Sequence, residues 1–99
     1  MYVLRIEHSV PNYEGWKRAF DSDPLGRKKS GVRRYRVLRA VDNPNYVMID
    51  LEFDTTDQAE AMLAALRSLW ERVEGTAMSE PNARIVEQLE DTKLYTAAT

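Results

Sequence analysis

Tyr46-Val47-Met48-Ile49-Asp50-Leu51-Glu52-Phe53 sorts its side chains into two rows. Val47, Ile49, Leu51 and Phe53 form one wholly apolar row, and Tyr46, Met48, Asp50 and Glu52 form the other. A period of two is that of a β-strand with one face in a core. Directly after it the period changes. Thr55 with Gln58 three residues later has the spacing of a capping box, and Ala59, Met62, Leu63, Leu66, Leu69, Trp70 and Val73 then recur at helical spacing. On the other side, Asp42-Asn43-Pro44-Asn45 carries turn-forming chemistry. Residues 32–41 are therefore expected to form a strand that this turn reverses into a hairpin with residues 46–53.

Working outward, residues 2–10 alternate again, with Tyr2, Leu4, Ile6, His8 and Val10 on one face and Val3, Arg5, Glu7 and Ser9 on the other. Pro11-Asn12 supplies a turn residue and a helix cap, after which Tyr13, Trp16 and Phe20 fall on one helical stripe ending near residue 21. Residues 22–31 contain a proline, two glycines and three consecutive basic residues, which stop regular burial. Gly75 is expected to end the second helix, Pro81-Asn82 to turn, and residues 83–90 to alternate as a last strand. The order is β-α-β-β-α-β: an α+β domain over residues 1–95, with residues 96–99 a mobile polar tail. Two helices on one face of a four-stranded antiparallel sheet bury that face only. The hairpin's first arm does not choose its own buried side, because both of its rows mix arginine with apolar residues.

The bulk properties narrow the function classes. A chain of 99 residues builds one small core. With 16 acidic against 14 basic residues the net charge is −2, so no broad cationic surface for nucleic acid is expected. The absence of cysteine excludes disulfides, thiolate metal sites and a thiol nucleophile. One histidine and scattered carboxylates show no metal-ligand spacing, and neither a metal nor another cofactor is expected. The alternating residues 1–8 do not read as a signal peptide, and no stretch approaches the roughly 20 apolar residues of a membrane span. A cytoplasmic protein without membrane attachment is the expectation.

The outer row Tyr46, Met48, Asp50 and Glu52, beside Val3, Arg5, Glu7 and Ser9, mixes apolar groups with opposite charges. Such a face can pair with a second copy of itself, so a homodimer through the open sheet face is expected. The element order, the segments 10–21 and 41–47, and Glu52-Phe53-Asp54 running into the helix resemble the dimeric α/β-barrel superfamily. Its members are antibiotic-biosynthesis-monooxygenase-like small proteins with a ferredoxin-like fold. The resemblance covers nearly the whole chain. It implies a ligand pocket in each subunit between helices and sheet, and activities that range from cofactor-free oxygenation to cyclisation, isomerisation and haem breakdown. The haem-degrading branch resembles a pattern of Asn on the first strand, Trp on the second helix and a ligating His beyond it. This chain has His8 on the first strand and no histidine after Trp70.

Placed in that pocket by the resemblance, His8 is the candidate catalytic base, since an imidazole titrates near neutrality. Trp16, Trp70, Tyr13 and Met62 are the candidate contacts to an aromatic small molecule. Each has a plain alternative: His8 as a hydrogen-bonded residue at the rim of the core, the others as helix packing. Asp50, Glu52 and Glu87 are weaker candidates as carboxylates facing a dimer interior. The basic residues from Arg27 to Arg39 form either a solvated surface or a receiver for an anionic group. Two functions follow as expectations. One is a cofactor-independent monooxygenase, cyclase or isomerase acting on an aromatic small molecule; the other is a non-catalytic binding or regulatory dimer module.

Overall fold

In the computed structural model, which describes residues 1–73 and 79–94, the elements are β1 (Tyr2–Ser9), α1 (Tyr13–Asp21), β2 (Arg34–Ala40), β3 (Asn43–Phe53), α2 (Thr56–Val73) and β4 (Ser79–Glu87). The strands form one antiparallel sheet in the order β2-β3-β1-β4. This is the ferredoxin-like arrangement. The end of α2 at Gly75 and the tail 96–99 lie outside the described residues.

The register explains the core. Leu4, Ile6 and His8 of β1 stand opposite Leu51, Ile49 and Val47 of β3, so the two apolar rows meet on one face. Both helices lie on that face, and Trp16 from α1 with Ala59, Met62 and Trp70 from α2 close the cluster over it. Each helix starts where its cap stands. The Asn12 side chain accepts a hydrogen bond from Gly15 N at 2.8 Å, and Thr55 Oγ1 accepts one from Gln58 N at 3.2 Å. Only this half of the expected capping box forms. The Gln58 side chain leans toward Gly31, and its buried Oε1 has no hydrogen-bond partner among the described residues.

Gly31 sits at φ +98°, and a Cβ there would lie 2.7 Å from Gln58 Nε2. The positive φ favours glycine, while the near atoms belong to the end of the flexible Gln58 side chain, which can move aside. Gly31→Ala is expected to destabilise the fold by about 1–2 kcal/mol, read as a lower urea midpoint with an unchanged slope.

Four boundaries differ from the sequence expectation, two of them through proline. The hairpin turn is Val41-Asp42 rather than residues 42–45, because Ala40 already pairs with Asn43. Pro44 and Asn45 fall in a bulge of β3, where the register shifts past Arg39 and Asn45 O accepts from Val10 N at 2.7 Å. Pro81-Asn82 does not turn but belongs to β4, an edge strand whose register against β1 shifts between Glu7 and Ser9. In both places the missing proline N–H falls where the ladder is already interrupted. At the other end β4 stops at Glu87, so Leu89 leaves the sheet and is exposed. Finally, β2 begins at Arg34 rather than at residue 32.

The arginine-rich β2 takes its sides from its neighbours. Tyr35 meets Phe20 edge-on at 5.2 Å and the Arg39 guanidinium lies 4.9 Å from the Tyr13 ring, which places Tyr35, Val37 and Arg39 on the helix side. Arg36 faces the opposite side. There its Nη1 is 2.9 Å from Glu52 and its Nη2 3.6 Å from Asp50, while Arg5 grips Asp50 with two hydrogen bonds of 2.9 Å. Those hydrogen bonds, against the effect of burial, hold the Asp50 carboxyl below its ordinary pKa. Tyr46 Oη donates to Glu7 Oε1 at 2.8 Å on the same face. Glu87 stands opposite Tyr2, hence on the helix side, and not with Asp50 and Glu52 as the sequence suggested.

Candidate functional site

Between the helices and the sheet lies a cavity of about 200 Å³, far larger than the space one water occupies. The sheet contributes Ile6, His8, Ile49 and Leu51, α1 contributes Trp16, Ala19 and Phe20, and α2 contributes Met62, Leu66, Leu69 and Trp70. The lining is therefore almost wholly apolar and rich in aromatic rings, the composition of small-molecule sites. Residues 22–27 fold back over one end, where Pro24, Leu25 and Arg27 join the wall.

His8 is the polar group on the sheet side of the cavity. Its place follows from alternation: it is the last even-numbered residue of β1, two beyond Ile6, and it is 2% exposed. The β4 bulge falls opposite it, since the register shift lies between Glu7 and Ser9. Its Nδ1 is 3.2 Å from the Ser9 carbonyl oxygen. A carbonyl can only accept, so in the neutral ring Nδ1 carries the proton and Nε2 keeps a free electron pair. Among the described residues Nε2 has no hydrogen-bond partner. Trp16 meets the imidazole edge-on at 6.0 Å.

Burial in this apolar setting lowers the His8 pKa below its ordinary 6.5, and the Ser9 carbonyl only partly opposes the shift. The neutral base is thus the resting form at neutral pH. The lowered value also sets a sign for stability. Below the unfolded pKa the denatured chain takes up a proton that the folded chain refuses, so the His8 contribution is complete above 6.5 and is lost as pH falls toward the folded value. The stability difference between wild type and His8→Asn should shift against the wild type on going from about pH 7.5 to about pH 5, as read by urea unfolding.

Of the residues singled out in the sequence, the cavity brings together His8, Trp16, Met62 and Trp70. Tyr13 is not on its wall. It packs 5.9 Å from Trp16, on the far side under Arg39. Phe20 and Arg27 also stand on the wall, Phe20 without a sequence assignment to the site and Arg27 named in the sequence only within a basic run that could receive an anionic group. Phe20 stacks on Trp16 at 5.2 Å and 29°, although its place on the α1 stripe was visible. Arg27, in a segment expected to stop burial, lies with its guanidinium 3.9 Å from the centre of the Phe20 ring. Its position depends on the backbone of 22–27, including Asp23 at φ 51°, and no periodicity announces that.

No protein-family model matches the chain, and no curated protein matches it in sequence. Solved structures match it closely in shape. A candidate antibiotic biosynthesis monooxygenase from Nitrosomonas europaea superposes with a TM-score of 0.69 at 23% identity, over 91% of this chain and 100% of that one. MhuD with two manganese protoporphyrin IX molecules bound per active site matches with a TM-score of 0.67 at 12% identity, over 94% and 99%. A dimeric ferredoxin-like protein from an uncultured marine organism matches with a TM-score of 0.64 at 13% identity, over 92% and 97%. The chain thus has a ferredoxin-like fold shared with these structures. Among the described residues no helix is long and apolar enough to cross a membrane.

Proposed function

We propose that the chain is a homodimeric, cofactor-independent enzyme that removes a proton from a flat aromatic molecule held in the helix–sheet cavity, with His8 as the base. The observation that carries this reading is the buried neutral imidazole, its Nε2 unpartnered among the described residues, on the wall of a cavity built chiefly from aromatic and aliphatic side chains. Trp16 and Trp70 would contact the rings and Met62 would adapt to their outline. Apolar walls keep water from the anion formed when Nε2 takes a phenolic or benzylic proton.

Oxygenation is the reaction this arrangement serves best. In an anthrone, loss of the methylene proton to His8 leaves a carbanion that gives its electrons to dioxygen. The carbon loses two hydrogens and gains one oxygen atom as a ketone, and the other oxygen atom leaves as water. The substrate supplies all four electrons. The relation in shape to a candidate antibiotic biosynthesis monooxygenase supports this choice of reaction. The test is oxygen uptake by the purified protein with a panel of anthrones and hydroquinones. Uptake that places one atom of each consumed dioxygen in the product and the other in water supports the reading. Tight binding without uptake replaces it by a non-catalytic ligand-binding dimer.

The dimer would close the open sheet face. In the isolated chain Asp50 and Glu52 are already buried there by Arg5 and Arg36, while Leu38 beside them is 45% exposed. Neighbours in shape described as dimeric support the same assembly. In sedimentation equilibrium the wild type should have twice the 11.4 kDa mass of the chain, and Leu38→Glu should shift it toward the monomer.

A further inference from the structure

Beside the cavity runs a shallow groove whose charged lining includes Lys28, Arg33, Arg34 and Asp54, and Asp23 and Arg27 line both groove and cavity. The groove is unevenly charged. Arg33 holds Asp54 at 2.7 Å, and the Asp23 carboxylate accepts the Arg27 backbone N–H at 2.9 Å. Lys28 and Arg34 have no ion-pair partner among the described residues. In a chain with a net charge of −2 the groove sets Arg27, Lys28, Arg33 and Arg34 against Asp23 and Asp54, and is cationic.

Arg27 stands where the two spaces meet, and it is fixed. Its guanidinium lies 3.9 Å from the Phe20 ring centre and 4.8 Å from that of Tyr35, and its Nη1 donates to Phe20 O at 2.7 Å. The side chain is 17% exposed. Asp23 Oδ1 is 3.6 Å from Nη1, beyond hydrogen-bond length. A guanidinium has five N–H donors, so several remain for a ligand, in the planar fork that suits a carboxylate. Immobilising that fork by stacking on two rings removes part of the entropy loss of binding.

We propose that the ligand of the cavity is a flat aromatic acid, with its rings against Trp16 and Trp70 and its carboxylate on Arg27 at the threshold of the cationic groove. The inference rests on the cavity being a ligand site, and it adds the chemical class and the orientation. His8 of β1, Trp16 and Phe20 of α1, and Arg27 of the following loop form a chain of contacts, with centre separations of 6.0, 5.2 and 3.9 Å. Two aromatic rings thus link the imidazole to the guanidinium, and both end groups line the same cavity. A molecule that reaches both is longer than a single ring, which points to fused or linked ring systems bearing the acid at the end away from the proton that is lost.

The test is a pair of titrations followed by tryptophan fluorescence, because both tryptophans line the cavity. Naphthalene-2-carboxylate and naphthalene-2-carboxamide share shape and differ in charge. The acid should bind about 10- to 100-fold more tightly, as expected of charge-assisted hydrogen bonds. Added salt should narrow the gap. Arg27→Lys keeps the charge but loses the fork, and should erase about tenfold of the preference. Should that variant fail to fold, Lys28→Gln with Arg34→Gln reads the same preference without disturbing the stacked arginine, and should reduce it. Equal affinity of the wild type for both compounds overturns the acid while leaving the cavity reading intact. Quenching by neither overturns the cavity reading and this inference with it.

Discussion

His8→Asn is expected to lower kcat/KM for an anthrone or hydroquinone by about 10²- to 10⁴-fold, the usual contribution of a positioned general base. The dissociation constant of the same compound should change little, because the cavity walls formed by Trp16, Trp70 and Met62 remain in place. Asparagine keeps a donor that can face the Ser9 carbonyl but has no basic nitrogen for the cavity. A loss confined to kcat marks a group that acts in the transition state, whereas a parallel loss of binding marks one that only shapes the wall. Undiminished turnover would assign His8 to hydrogen bonding in the core. The wild-type kcat/KM should hold level at neutral pH and fall on acidification, with a midpoint below 6.5, because burial favours the neutral ring.

Phe53→Ala is the substitution with the largest expected effect on stability, about 3–5 kcal/mol. Phe53 is fully buried at the end of β3, opposite Tyr2 of β1, and belongs to the central cluster that both helices cover. Removing the ring leaves a void in a close-packed cluster of side chains, which relaxes into it only in part. The loss is comparable to the whole stability of many domains of this size, so partial unfolding at ambient temperature should show in the urea curve and in circular dichroism. Phe53 does not line the cavity, which makes it a control: it separates loss of fold from loss of site.

The parts of the fold legible in the sequence were those where one face is unmixed. β3 carries Val47, Ile49, Leu51 and Phe53 in a row, and α2 carries Ala59, Met62, Leu66 and Trp70 at helical spacing, so period and burial agree. β2 was not legible in this way. Its sides are decided by partners distant in sequence, Asp50 and Glu52 for Arg36 and the rings of Tyr13 and Phe20 for Arg39 and Tyr35. Pro44 and Pro81 suggested turns because proline interrupts a ladder. Both instead occupy bulges, whose existence depends on the register of the neighbouring strand.

The site divides along the same line. His8, Trp16, Met62 and Trp70 reach one cavity because each lies on the buried row of its own element, and that row can be read locally. Tyr13 shares the α1 stripe with Trp16 and Phe20, yet the cavity lies toward Phe20, where residues 22–27 fold back. Which end of a helix stripe faces open space is decided by a loop. The same loop delivers Arg27, and its conformation rests on contacts such as Asp23 Oδ1 with Arg27 N at 2.9 Å rather than on a repeating pattern.

The chain has a single histidine, so its imidazole is assigned in a nitrogen-correlated NMR spectrum without any variant. A pH titration of that ring, with and without naphthalene-2-carboxylate, reads its tautomer, its pKa and its contact with a bound aromatic molecule in one experiment. The expected result is a proton on Nδ1 in the neutral ring, a pKa below 6.5, and ring signals displaced by the ligand. An ordinary or raised pKa, or ring signals that stay put while the ligand quenches the tryptophans, would contradict a buried base facing the bound molecule.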